Sequence, residues 1–181
     1  KLDQPMPIYL AAVNPLMLQL AGEIADGVLL AWLPAREIQN SLAEISKGAL
    51  RAGRTLSDLR VGCYVHTLVK EDTGLALNQL RHVLLGYCQA NTYIQGFRRF
   101  GYADILERVH ERWNAGDRAG AEAAIPDTMV RELFVFGSPD DCRSQLDDFI
   151  ASGVDEPIVS APPTSQLTGE DLHMMVDTFG E

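Results

Sequence analysis

Apolar residues follow two rhythms along this chain. Residues 8–13, Ile8-Tyr9-Leu10-Ala11-Ala12-Val13, run apolar without polar alternation, the pattern of a strand covered on both faces in a parallel sheet. Pro15 then suits a first helical position, where its missing N–H costs nothing, and Asn14 before it suits an N-cap. Met17, Leu20, Ala21 and Ile24 recur at helical spacing, and Asp26-Gly27 turns the chain into apolar Val28-Leu29-Leu30. Strand, helix and strand make one complete βαβ unit.

Downstream, the same unit is repeated and once interrupted. Trp32-Leu33-Pro34 reads as a loop, and Ile38, Leu42, Ile45 and Ala49 mark one face of a helix ending at Ala52-Gly53. Residues 60–69 read as a third strand, rich in β-branched and aromatic side chains, followed by a turn at residues 72–74. From 75 to 129 the pattern is helical. Leu77, Leu80, Leu84 and Tyr87 form a stripe, residues 93–97 break it, residues 103–113 resume it, and a short helix at 117–124 closes at Pro126. This is a helical insertion of the kind that serves as a substrate lid or an oligomer contact.

The βα rhythm then returns. Ser138-Pro139-Asp140-Asp141 is a capping box heading a helix through Cys142, Leu146, Phe149 and Ile150, which Gly153 ends. Residues 157–160 read as a fourth strand, Pro162-Pro163 as a rigid loop, and Thr168 with Asp171 as the cap of a last helix through Met175 and Phe179. Four strands alternating with helices predict an α/β architecture with right-handed crossovers, in a single domain over residues 1–181. An open doubly wound sheet uses the same units and remains an alternative.

Composition narrows the function classes. With 181 residues, 46% hydrophobic and 22% charged, the chain can bury a sizeable core without a covalent staple. A net charge of -10 argues against nucleic acid and against an anionic membrane surface. Cys63, Cys88 and Cys142 are odd in number and scattered, with no CxxC or Cys/His ligand spacing, so neither a disulfide framework nor a zinc site is indicated and a reducing cytoplasm fits. No apolar run reaches about 18 residues, and no signal-peptide pattern is present. The chain starts almost directly on a strand, which suggests missing upstream sequence. Neither GxGxxG nor GxxxxGK occurs, which removes the main support for dinucleotide and P-loop sites.

The turn after the first strand has chemistry of its own. N–H groups around Val13, Asn14, Leu16 and Met17 would point out of a helix N-terminus, where the helix dipole favours an anion. Most capped helix starts bind nothing, and on these grounds alone this is one more of them.

Residues 7–33, PIYLAAVNPLMLQLAGEIADGVLLAWL, taken with residues 135–159, VFGSPDDCRSQLDDFIASGVDEPIV, resemble the C-terminal half of luciferase-like monooxygenases. The likeness is in particular to the deazaflavin-dependent branch related to methylenetetrahydromethanopterin reductase. The ADGVLL strand and the GSPDD helix start with its A-x-G-V-D exit carry it in combination.

That resemblance implies the second half of a (β/α)8 barrel, parallel strands five to eight, with the helical insertion at about 75–129 after the third strand of this chain. It implies an oxidoreductase moving a hydride between coenzyme F420 or FMN and a small organic substrate, and a homodimer. The turn that holds the cofactor phosphate in the family corresponds to Ala12, Val13 and Asn14, where many relatives carry Gly at the Asn14 position and Asn tolerates the same tight geometry. Barrel sites lie at the C-terminal strand ends, which makes Trp32, His66 and Ser160 candidate pocket residues, with Arg36 as an anion contact at the mouth.

Each has a plainer reading: core packing for Trp32, a hydrogen-bonded core histidine for His66, a solvated arginine for Arg36. Arg98 and Arg99 could face a polyanionic cofactor tail or simply water. His82, His110 and His173 lack ligand spacing, so no metal is assigned. The family's catalytic groups come from its first four βα units, so no catalytic residue is assigned here. A reading of another class is a catalytically silent half-barrel, or a truncated piece of the enzyme, that covers its open edges by self-association.

Overall fold

A computed structural model describes residues 6–164 and 166–180. In chain order its elements are β1 (Tyr9–Ala11), α1 (Pro15–Ile24), β2 (Gly27–Ala31), α2 (Ile38–Arg51), β3 (Arg60–Val69), α3 (Thr73–Cys88) and α4 (Asn91–Phe97). There follow α5 (Ala103–Asn114), α6 (Arg118–Ala123), α7 (Asp127–Leu133), β4 (Val135–Gly137), α8 (Pro139–Ala151), β5 (Glu156–Ser160) and α9 (Gly169–Phe179). They fall into two compact units. One holds residues up to 31, 35–64 and 148–158, and the other residues 32–34, 65–147 and from 159 on.

In the first unit, β1 pairs parallel with β2, Leu10 opposite Val28, and β2 pairs parallel with the first half of β3, Leu30 opposite Cys63. Val28, Leu30, Val61 and Cys63 are buried. Helices α1 and α2 meet backbone to backbone. A Cβ on Gly48 would lie 1.8 Å from the Gln19 carbonyl oxygen and one on Gly22 2.1 Å from that of Ile45, so only glycine permits this approach.

Two expectations need correcting here. The first strand is shorter than residues 8–13 and is not covered on both faces: Ile8 is 64% exposed, and among the described residues β1 pairs only with β2. Helix α1 buries Leu18, Ala21 and Gly22, while Met17, Leu20 and Ile24 are exposed, so of the expected stripe only Ala21 faces inward. The cause is composition. Apolar residues surround most of α1, and periodicity cannot rank two apolar faces.

In the second unit, the far half of β3 pairs parallel with β4, Leu68 opposite Phe136. Strand β4 adds a fifth strand to the four expected, since three buried residues are too short to carry a periodicity. Residues 73–133 are helical, but their divisions differ from the pattern. The expected break at 93–97 is α4 itself, while the breaks fall at Gln89-Ala90 and at Gly101, whose φ is +92°. The turn expected at 72–74 is already the start of α3, with Asp72 accepting from the Leu75 N–H at 2.9 Å. The short helix expected to close at Pro126 is α6, which ends at Ala123, and Pro126 also caps the start of α7.

Both capping boxes form. Ser138 and Asp141 exchange side-chain and backbone bonds at the head of α8, as Thr168 and Asp171 do at α9.

Candidate functional site

The turn from β1 into α1 belongs to the first unit. Ala12 is buried and donates its N–H to the Leu29 carbonyl at 3.1 Å, so its amide is spent on the sheet and Ala12 can only shape the turn. Asn14 is extended and exposed, and Pro15 opens the helix. Because Leu18 N–H makes the first helical bond, to the Asn14 carbonyl at 2.9 Å, the amides of Leu16 and Met17 precede the ladder. Two amides at the positive end of a dipole, beside an exposed Asn14, suit a phosphate's acceptor oxygens. Arg36, also in this unit, is half exposed and pairs with its neighbour Glu37 at 2.7 Å.

Trp32, His66 and Ser160 come together in the second unit. Trp32 directly follows β2 and is buried with φ at +57°, a left-handed conformation that costs a non-glycine residue energy. Its ring centroid lies 3.7 Å from Tyr87, 4.3 Å from His66, 5.4 Å from Phe134 and 6.0 Å from Tyr93. The Ser160 hydroxyl, at the end of β5, lies 2.9 Å from His66 Nδ1. Burial lowers the His66 pKa to about 4, so the ring is neutral near pH 7. The result is an aromatic wall carrying one hydroxyl–imidazole pair. Such a wall can stack on a flat ring and exchange a hydrogen bond, but it brings no charge.

The sequence pattern overlooked Tyr87, Tyr93 and Phe134 as partners of Trp32. Tyr87 was visible only as the last member of an α3 stripe, and Phe134 directly precedes the strand that was too short to detect. Among the other candidates, Arg98 and Arg99 are exposed, His82 Nδ1 lies 3.1 Å from Glu122, and His110 Nε2 lies 2.7 Å from the Cys88 carbonyl. No group of three metal-ligating side chains occurs among the described residues.

A further polar pair joins the end of β3 to the head of α9. Lys70 Nζ donates to buried Asp171 at 2.5 Å, and burial pushes the carboxyl's pKa up while Lys70 and Thr168 more than offset this and hold it below the usual range.

Residues 1–156 match the family model for luciferase-like monooxygenases. The 5,10-methylenetetrahydromethanopterin reductase of Methanopyrus kandleri is 25% identical over 176 residues, 97% of this chain and 49% of that protein. A putative coenzyme F420-dependent oxidoreductase of Mycobacterium tuberculosis is 26% identical over 179 residues, 94% of this chain and 51% of that protein. Among solved structures, the coenzyme F420-dependent tetrahydromethanopterin reductase of Methanopyrus kandleri superposes with a TM-score of 0.77 at 24% identity, over 94% of this chain and 49% of that one. The α/β fold with its parallel sheet is therefore shared, and the chain spans about half the length of the curated relatives it matches.

Proposed function

Since the chain belongs to the luciferase-like monooxygenase family, we propose that it is the second half of a (β/α)8 barrel, strands five to eight, within an oxidoreductase that moves a hydride between coenzyme F420 or FMN and a small organic substrate. Residues 1–181 make one half-barrel in this reading, with residues 75–129 as its helical insertion. The observation that carries it is the match of nearly the whole chain to about half of F420-dependent relatives. The outer edge of β1, which among the described residues pairs only with β2, and the exposed residues of α1 support it, because a preceding βα unit would cover them.

When bound, the cofactor supplies the hydride chemistry. The chain's part is to bind and to exclude water. Val13 and Asn14 rim the turn whose Leu16 and Met17 amides receive the phosphate, with Ala12 shaping it. Trp32, His66 and Ser160 line the substrate side, with the neutral imidazole carrying one N–H donor and one acceptor nitrogen. Arg36 would meet an anionic group on the substrate. A cytoplasmic setting completes the proposal. The three cysteines are free and buried, with thiol pKa values pushed up to about 12 mainly by burial, and no described helix is long and apolar enough to cross a membrane.

Titrating F420 and FMN into the full-length polypeptide, followed by quenching of their fluorescence, tests the reading. One of them should bind, and Asn14→Asp should weaken binding several-fold by placing a like charge beside the phosphate. Binding of neither would end it. The exposed Leu16, Leu20 and Ile24 also favour a second reading, a silent half-barrel paired with its own copy, and cofactor binding separates the two. A homodimer is compatible with both.

A further inference from the structure

We propose that an open cleft of about 470 Å³ along α3 is a binding site for a flat, uncharged aromatic molecule, whether or not the chain also handles a flavin. The volume falls within the range of small-molecule sites, roughly 300–1,000 Å³. Val83, Gly86 and Tyr87, on one face of α3, form one wall with Ala90 from the break beyond it, and Pro163-Thr164, after β5, form the other. All belong to the second unit.

Gly86 is the informative residue. It sits inside a helix, where glycine costs about 1 kcal/mol relative to alanine. Its φ is not positive, and a Cβ built on it meets nothing within 4 Å. Neither backbone conformation nor packing among the described residues calls for glycine there. What the missing side chain does is keep the floor flat and open beside the Tyr87 ring.

The lining determines the ligand class. Among the described lining residues there is no Lys, Arg, Asp or Glu, and the polar handles are the Tyr87 and Thr164 hydroxyls with the His82 ring at the side. An anionic ligand would find no Lys or Arg on these walls and the Glu122 carboxylate 3.1 Å from the His82 ring, whereas a neutral ring finds an aromatic face, small apolar residues and hydroxyls for an edge substituent.

Calorimetric titration of the purified chain with 2-naphthol and with 2-naphthoate tests this. The neutral probe should bind, with the carboxylate at least about tenfold weaker. Gly86→Leu should weaken 2-naphthol about tenfold or more by filling the cleft, while Gly86→Ala should change it less than about threefold. Both variants should melt at or above the parent temperature, since either residue is a better helix former. Failure of 2-naphthol to bind the parent chain, equal binding of the two probes, or undiminished binding by a folded Gly86→Leu variant would each overturn the proposal. The probe comparison needs no variant, so it decides even if Gly86→Leu misfolds.

Discussion

At the scale of single residues, Trp32 and His66 carry the most unusual physics. Trp32 combines a left-handed backbone with a ring packed among four others, so its two contributions can be separated. Trp32→Ala and Trp32→Gly both lose the ring, but glycine accepts φ near +57° freely. Urea unfolding should therefore find Trp32→Gly the more stable of the two by about 1 kcal/mol, reversing the usual preference for alanine. His66 makes stability pH-dependent. Its pKa falls from 6.5 to about 4 on folding, so between those values the unfolded chain takes up a proton that the folded chain refuses. Its contribution is complete above pH 6.5 and falls as pH drops toward 4, by up to about 1.4 kcal/mol per pH unit. Urea midpoints across this window should fall less steeply for His66→Gln than for the parent. Both residues could be picked out along the chain as candidates at the C-terminal strand ends that the family resemblance implies, but the Ser160–His66 bond, linking positions 94 apart, could not.

Among elements, two contacts test the packing. Helices α1 and α2 touch through Gly22 and Gly48, where an added methyl meets backbone that cannot swing aside. Gly48→Ala should lower the unfolding free energy by about 1–3 kcal/mol despite alanine's better helix propensity, measured by denaturant titration. Lys70 and Asp171 tie the end of β3 to the head of α9 with little exposure. Asp171→Asn should cost about 3 kcal/mol at neutral pH, because it strands a largely buried ammonium and weakens the Thr168 cap. Asp171's folded pKa lies below its ordinary value, so its stabilisation is present above about pH 3.8 and is lost as pH falls through the folded value. The gap between parent and variant should therefore narrow in strong acid. Capping boxes were visible beforehand because all their parts lie within four residues. The inward face of α1 was not, because it depends on α2.

For the whole molecule, the main fact is what the chain leaves open. Leu16, Leu20 and Ile24 are 79%, 39% and 65% exposed on α1, and Ile8 beside it is 64% exposed. Apolar surface of this kind ordinarily has a partner. Sedimentation velocity should show concentration-dependent association of the isolated chain, and Leu16→Lys with Ile24→Lys should suppress it while shifting stability by no more than about 0.5 kcal/mol per site. A parent chain that stays monomeric at every concentration would mean that this surface needs no cover.

Much of the architecture was readable from the order of residues. Apolar runs, helix caps and Gly-Pro punctuation are local signals, and they foretold the βα alternation, the long helical stretch and the resemblance to the family. What depended on folding was every relation between distant positions. The placing of Tyr87 and Phe134 against Trp32, the sheet's use of the Ala12 amide, the choice of which apolar face of α1 turns inward, and the pairing of short β4 with β3 all arise from contacts between segments far apart in sequence. A linear pattern records each residue's tendency to be buried, but the identity of its neighbour is settled only when competing surfaces are packed together.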